Sequence, residues 1–118
     1  MARQGPETRL ARKMDDAAKK KYGPRLVSIN QHGSAFSTAG VSDRLLCLDG
    51  VFVAIEIKAP NNYGDSVERA VEKGPTLKQR LFIEKVTVAG GVAGVAASVE
   101  QYMALLKLAE RRAKKRKS

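Results

Sequence analysis

Two acids and a lysine carry the chemical interest of this sequence. Asp43, Glu56 and Lys58 lie toward the ends of "GVSDRLLCLDGVFVAIEIK" (40–58), two apolar runs joined by Asp49-Gly50. Asp-Gly is a preferred two-residue connection of a β-hairpin, and so short a loop fixes the pairing register. Counting outward from it, Leu48 faces Val51, Cys47 faces Phe52, and Asp43 comes opposite Glu56. Lys58, two residues further on, shares the Glu56 face. Directly opposed residues have Cβ atoms about 4.5–5.5 Å apart, a separation at which like charges destabilise the pair.

The rest of the hairpin is apolar on both faces, with Val51, Val53, Ile55 and Ile57 on one and Leu45, Cys47, Phe52 and Ala54 on the other. That pattern predicts central strands covered on both sides, with Cys47 a small buried core residue. Two carboxylates meeting at the dry rim of such a sheet either share a proton or hold something positive. Lys58 alone would make the arrangement a structural salt bridge. A divalent cation suits it better, because Mg²⁺ takes one or two carboxylates and retains waters. A metal so held polarises a phosphoryl oxygen, activates a water and stabilises a leaving oxyanion, as phosphodiester hydrolysis requires. A neighbouring lysine can orient or deprotonate that water, or neutralise charge in the transition state. Glu-x-Lys alone carries little information; joined to the aspartate, the register and basic flanks, it carries more.

The elements that must position these groups follow from periodicity. Pro6 opens a helix with Leu10, Met14, Ala17, Ala18 and Tyr22 on one face, ended by Gly23-Pro24. "LVSIN" (26–30) reads as a strand, and "QHGSAFSTAG" (31–40) as a loop. The polar stretch 59–75 is a candidate mobile loop with one helical turn at "SVERAV". Thr76 caps a helix whose apolar face takes in Leu77, Leu81, Phe82 and Val86, stopped by "AGG" (89–91). "VAGVAAS" (92–98) reads as a buried strand, and Ser98 with Gln101 as the capping box of a last helix using Tyr102, Leu105, Leu106 and Ala109. The order α-β-β-β-α-β-α implies an α/β fold with a mixed central sheet flanked by helices. One domain over 1–110, followed by a basic tail at 111–118, accounts for the chain.

Charge is distributed unevenly. Of 22 Lys+Arg and 12 Asp+Glu, residues 1–25 hold eight basic and three acidic side chains and residues 107–118 hold seven and one, so the middle is near neutral. Basic ends on a neutral core suit a polyanion gripped by its phosphates, although solvated helix faces also read this way. Three Phe and three Tyr offer no stacking platform for single strands. The lone cysteine forms no internal disulfide, and no run reaches the length of a membrane span or a signal peptide, which leads us to expect a soluble cytoplasmic protein. His32 in the loop after the first strand reads as a backbone hydrogen-bonder, or as a second acid or phosphate contact.

"GVSD" (40–43), "AIEIK" (54–58) and "LKQR" (77–80), followed by a helix, "AGG" and a strand, resemble the VRR-NUC family of the PD-(D/E)xK nuclease superfamily over most of the chain. The resemblance implies a restriction-endonuclease-like fold. It also implies a Mg²⁺- or Mn²⁺-dependent endonuclease, without organic cofactor, that acts on branched DNA such as Holliday junctions or flaps. Small stand-alone members work as homodimers. Carried over residue by residue, Asp43 and Glu56 ligate metal together with the Ile57 carbonyl, and Lys58 handles the water. Gln79 steadies the lysine or the water, and Glu7 is the outer acid of the site. Ser42 stands where the family usually has proline, and the 61–75 connection is longer than expected. Lys78 and Arg80 beside Gln79, and Arg111, Arg112, Lys114, Lys115, Arg116 and Lys117 in the tail, are the candidate DNA contacts. The rival readings are a non-catalytic basic nucleic-acid-binding module, with Asp43, Glu56 and Lys58 as a salt-bridge cluster, and a sequence-specific restriction-like nuclease.

Overall fold

Helix α1 (Pro6–Tyr22) begins at Pro6, where the missing N–H costs nothing, and buries Met14, Ala18 and Tyr22 at four-residue steps. A 3₁₀ turn over Gly23–Arg25 leads into β1 (Leu26–Asn30). The computed structural model describes residues 5–30 and 40–117; His32 and most of the loop expected around it lie outside the described residues. Strands β2 (Arg44–Leu48) and β3 (Val51–Ile57) pair in the register fixed by the turn, from Leu48↔Val51 outward to Arg44↔Ile55. Asp49 and Gly50 both take positive φ, 51° and 86°, as a type I′ turn requires.

The polar stretch after β3 holds a 3₁₀ turn (Pro60–Tyr63) and a short helix α2 (Val67–Lys73), capped by Ser66. Helix α3 (Leu77–Val88) starts at a full capping box between Thr76 and Gln79. It leads to β4 (Val92–Ala96), and α4 (Val99–Lys117) closes the chain. The protein is α/β: a four-stranded mixed sheet, order β1-β2-β3-β4, with β4 parallel to β3 and the other neighbours antiparallel, flanked by helices. The helical turn expected at "SVERAV" is α2, and the other helices and strands follow the expected order. Among the described residues no helix is long and apolar enough to cross a membrane.

One face of the sheet is dry. Leu46, Leu48, Val51, Val53, Ile55 and Ile57 pack with Met14, Ala18 and Tyr22 of α1 and Tyr102, Leu106 and Ala109 of α4. Truncating any of these leucines to alanine should cost about 2–5 kcal/mol. Among the described residues the other face is covered by α3, which packs on β4 and β3. Phe52 is 45% exposed there, and Cys47 is exposed as well, so the expectation of a hairpin covered on both sides and a buried cysteine is corrected. Helix α3 corrects another: Leu77 and Leu81 are exposed, and only Val86 of its expected apolar face is buried. The expected C-terminal tail is helical to Lys117, because Ala113 continues the buried stripe of Tyr102, Leu106 and Ala109. The last capping box is half formed. Ser98 Oγ accepts from the Gln101 N–H, while Gln101 Oε1 turns to the Ala97 N–H.

Candidate active site

At the C-terminal ends of β3 and β4 the chain gathers its acids. Asp43 sits one residue before β2, and its Oδ2 accepts from the Ile57 N–H at 3.0 Å, so the aspartate is fixed across the mouth of the hairpin. Arg44, the next residue, points to the opposite face. There it is buried and held by Asp15 of α1 at 3.0 and 2.8 Å and by Asn30 Oδ1 at 2.9 Å. This clamp anchors the start of β2 to α1, and with it the residue that bears Asp43.

Glu56 lies on the α3 side of the sheet and is 1% exposed. Its Oε1 accepts from Gln79 Nε2 at 2.8 Å and stands 3.6 Å from Lys58 Nζ. Gln79 does two jobs at once, since its Oε1 also accepts from the Thr76 N–H at 2.7 Å. The cap that starts α3 therefore also aims the amide at Glu56; the family resemblance implies the lysine or the water as its target. Among the described residues Glu56 Oε2 accepts no hydrogen bond. Burial and the neighbouring Asp43 carboxyl, within hydrogen-bonding reach, push Glu56 up to about 8; Lys58 pulls the other way and does not prevail.

Lys58 is mostly buried, its side chain 16% exposed. A residue the sequence did not single out makes room for it: a Cβ on Gly74 would run into the Ala70 carbonyl oxygen and meet Lys58 Cγ at 2.6 Å. The glycine between two helices is its only sequence signal. On the α1 side, a cavity of about 250 Å³ is lined by Asp43 and Ile57 together with Glu7, Thr8 and Asp15. Glu7 thus shares a cavity with Asp43, while Glu56 lies outside it.

The expected DNA contacts divide. Lys78 is exposed at the start of α3, with its backbone and Cβ against Gly40. Arg80 spends its guanidinium on the Glu72 and Pro75 carbonyls, tying α2 to α3. Arg112 and Arg116 bond the carbonyls of Gly90 and Gly91 after α3. Arg111, Lys114, Lys115 and Lys117 are exposed.

Among the described residues no three acids, histidines or cysteines converge into a ready-made metal cage. What the site offers is two carboxylates, the number that Mg²⁺ commonly takes, one of them with a buried oxygen that accepts nothing. Hard oxygen donors select Mg²⁺ or Mn²⁺ over thiophilic metals, so the donor set fits the ion expected from the sequence. Comparison with protein-family models, curated proteins and solved structures yields no match.

Proposed function

We propose that this chain is a Mg²⁺- or Mn²⁺-dependent DNA endonuclease of the VRR-NUC type, with a restriction-endonuclease-like fold, acting in the cytoplasm on branched DNA. The observation that carries the reading is Glu56: a carboxyl buried beside a second carboxyl, with one oxygen unsatisfied. Holding one carboxyl buried against another costs free energy in any protonation state, and groups perturbed in this way cluster where they have work to do. The salt-bridge reading accounts for less of the geometry, because Lys58 Nζ stands 3.6 Å from Glu56 Oε1, the oxygen that Gln79 already serves, and not at Oε2.

Asp43 and Glu56, with the Ile57 carbonyl, would hold the ion, which when bound polarises the scissile phosphate and acidifies a water. The chain's own groups do the rest. The Ile57 N–H fixes Asp43 Oδ2 and Gln79 Nε2 fixes Glu56 Oε1, so both carboxylates are oriented before substrate arrives. Lys58 Nζ orients the attacking water, or takes its proton and returns it to solvent. Glu7, which lines the same cavity as Asp43, would bind a water of the ion's outer shell.

Symmetric cutting of a four-way junction requires two sites related by a twofold axis, as in a homodimer. Val27, Ile29 and Phe52, 61%, 54% and 45% exposed on the open sheet face, are the apolar surface a second copy would cover.

The test is a cleavage panel of junction, flap, linear duplex and single strand with Mg²⁺ or Mn²⁺ and an EDTA control. Branched DNA should be nicked, and Asp43→Asn or Lys58→Ala should abolish nicking while leaving binding intact. Equal cutting by all variants would sink the assignment.

A further inference from the structure

Over β1 helix α1 leaves the sheet partly open. Leu26, Ser28 and Asn30 alternate along the α1 side of that strand, and with Ala18 and Pro24 they border a cavity of about 640 Å³. Ser28 is exposed there. Arg44 and Tyr102, both buried, line the cavity's inner end. Among the described residues the Tyr102 hydroxyl has no hydrogen-bond partner. It feels the charges of Asp15 and Arg44, which line the same cavity, so its polar end faces that pair. A buried hydroxyl left unpaired costs free energy, and each instance asks for a missing partner. The volume is that of a small-molecule site, roughly 300–1,000 Å³.

The lining decides what chemistry fits. Arg44 is matched by Asp15 through two bonds of 3.0 and 2.8 Å, so the inner end carries no net charge. An anion would meet the Asp15 carboxylate there and a cation the Arg44 guanidinium, which disfavours both. Lys19 borders the cavity but is exposed, where water and salt screen it. A neutral ligand is therefore favoured. The Ser28 and Tyr102 hydroxyls give or take a hydrogen bond, Arg44 gives and Asp15 takes, so the ligand must carry donors and acceptors together. Ala18, Pro24 and Leu26 supply apolar wall for its body. A flat ring with donors and acceptors along its edge meets all of these demands.

We propose that the cavity between α1 and β1 is a nucleobase-binding site, with the Tyr102 hydroxyl as a partner of the ring's polar edge. Asp15, Asn30 and Arg44 line both this cavity and the one at Asp43, so the two share a wall. A base unstacked at a branch enters the first while a neighbouring phosphate lies at the second; a free nucleoside offers the same ring. Extruding a base costs least where it is already unpaired, so the pocket favours branched DNA over regular duplex. The cavity stands on its own lining, and its use on DNA rests on the nuclease reading.

The experiment titrates the full chain with the four deoxynucleosides, followed by ligand-observed NMR, with deoxyribose and benzoate as the sugar and anion controls. Nucleosides should bind saturably and the controls should not. Ser28→Phe, which fills the cavity from an exposed strand position, should weaken binding about tenfold or more, with circular dichroism to verify folding. Tyr102→Phe should weaken it about three- to tenfold through loss of one hydrogen bond. Without ligand Tyr102→Phe should melt no lower than wild type, because its hydroxyl has no protein partner to lose; a purely structural hydroxyl would lower the melting temperature and leave nucleoside binding alone. Absence of saturable nucleoside binding, equal binding by folded Ser28→Phe, or preference for benzoate would overturn the site. A flap with a fluorescent purine analogue at its branch, bound with Ca²⁺ in place of Mg²⁺, separates the two sources. Wild type should unstack the analogue and raise its fluorescence, and Ser28→Phe should not; nucleoside binding without that response would overturn the DNA source and leave free nucleosides. Cleavage without nucleoside binding sinks the cavity alone, and nucleoside binding without cleavage sinks the nuclease reading alone.

Discussion

Both ends of the β2–β3 hairpin carry an acid beside a cation, yet the two ends are built on opposite principles. At the turn, Arg25 reaches Asp49 through Nε at 2.9 Å and Glu110 through Nη2 at 2.8 Å, and both acids are held below their ordinary range by that guanidinium. At the other end Glu56 is buried beside Asp43, is raised to about 8 and keeps an oxygen that accepts nothing. The first arrangement is complete and partly solvated. The second is dry and brings two carboxyls together, the arrangement on which the metal-site proposal rests. The lesson is that charge near charge does not mark a site; a carboxyl that burial and a like neighbour keep from ionising is the stronger pointer.

The sharpest way to break this contrast is the same chemical change at both ends. Glu56→Gln keeps an acceptor for Gln79 but removes the charge; it should lower cleavage by about 10³-fold or more, since the site loses one of two anionic ligands. Asp49→Asn keeps a good turn sequence and should leave the cleavage rate unaltered. Single-turnover rates on one junction substrate compare the two directly. Equal losses would erase the distinction between the poles.

Glu56 also predicts how stability depends on pH. Its folded value of about 8 lies above its ordinary 4.5, so between these limits the folded state holds a proton that the unfolded state has released. Stability in EDTA should therefore fall as pH rises from about 4.5 to 8, by roughly 2–4 kcal/mol, and level off above. Glu56→Gln should remove that slope and be more stable than wild type at pH 8. Mg²⁺ should recover part of the loss in wild type alone, by binding only the folded state. Urea melts across pH, with and without Mg²⁺, measure all three; a flat wild-type profile would show that Glu56 titrates normally.

Much of the carboxylate end was legible from residues near one another in sequence. Asp49-Gly50 determines the register, and the register brings Asp43 toward Glu56. The Thr76 cap was legible too, but Gln79's share in it and its bond to Glu56 were not, because the Gln79–Glu56 bond joins residues 23 apart on separate elements. The turn end was opaque for the same reason: Arg25 meets Glu110 across 85 residues. Elsewhere the signal existed and a different rule outweighed it. Ala109 and Ala113 extend the buried stripe of α4 at helical spacing, yet the dense lysines and arginines read as a tail. Leu77 and Leu81 are apolar by type but exposed, since residue type does not decide which side of a helix meets the sheet.

Gly74 offers a finer test of how tightly the carboxylate end is built. Gly74→Ala puts a methyl where Lys58 Cγ and the Ala70 carbonyl oxygen now lie, so both the lysine stem and the α2–α3 junction must shift. A displacement of an ångström at a reacting group costs up to about 10²-fold, so kcat should fall roughly 10- to 100-fold with metal affinity retained. Loss of Mg²⁺ binding in this variant would mean that the glycine supports the carboxylates and not the lysine alone.

Arg25→Ala carries the smallest expected effect, and its smallness is informative. The Arg25 side chain is 45% exposed, so water and salt screen its attraction to Asp49 and Glu110. Both acids lie within the field of Lys114, which can take over part of the neutralisation. Thermal melts should show a slight loss that shrinks further at high salt, with kcat unchanged. Because Asp49 and Glu110 are held below their ordinary range, what Arg25 contributes is present at neutral pH and fades as pH falls through their lowered values. The two ends thus lose stability in opposite pH directions, the turn on acidification and the carboxylate end on alkalinisation. A paired melt of Arg25→Ala and Glu56→Gln across pH should separate them: the first difference from wild type vanishes at low pH, and the second grows toward pH 8.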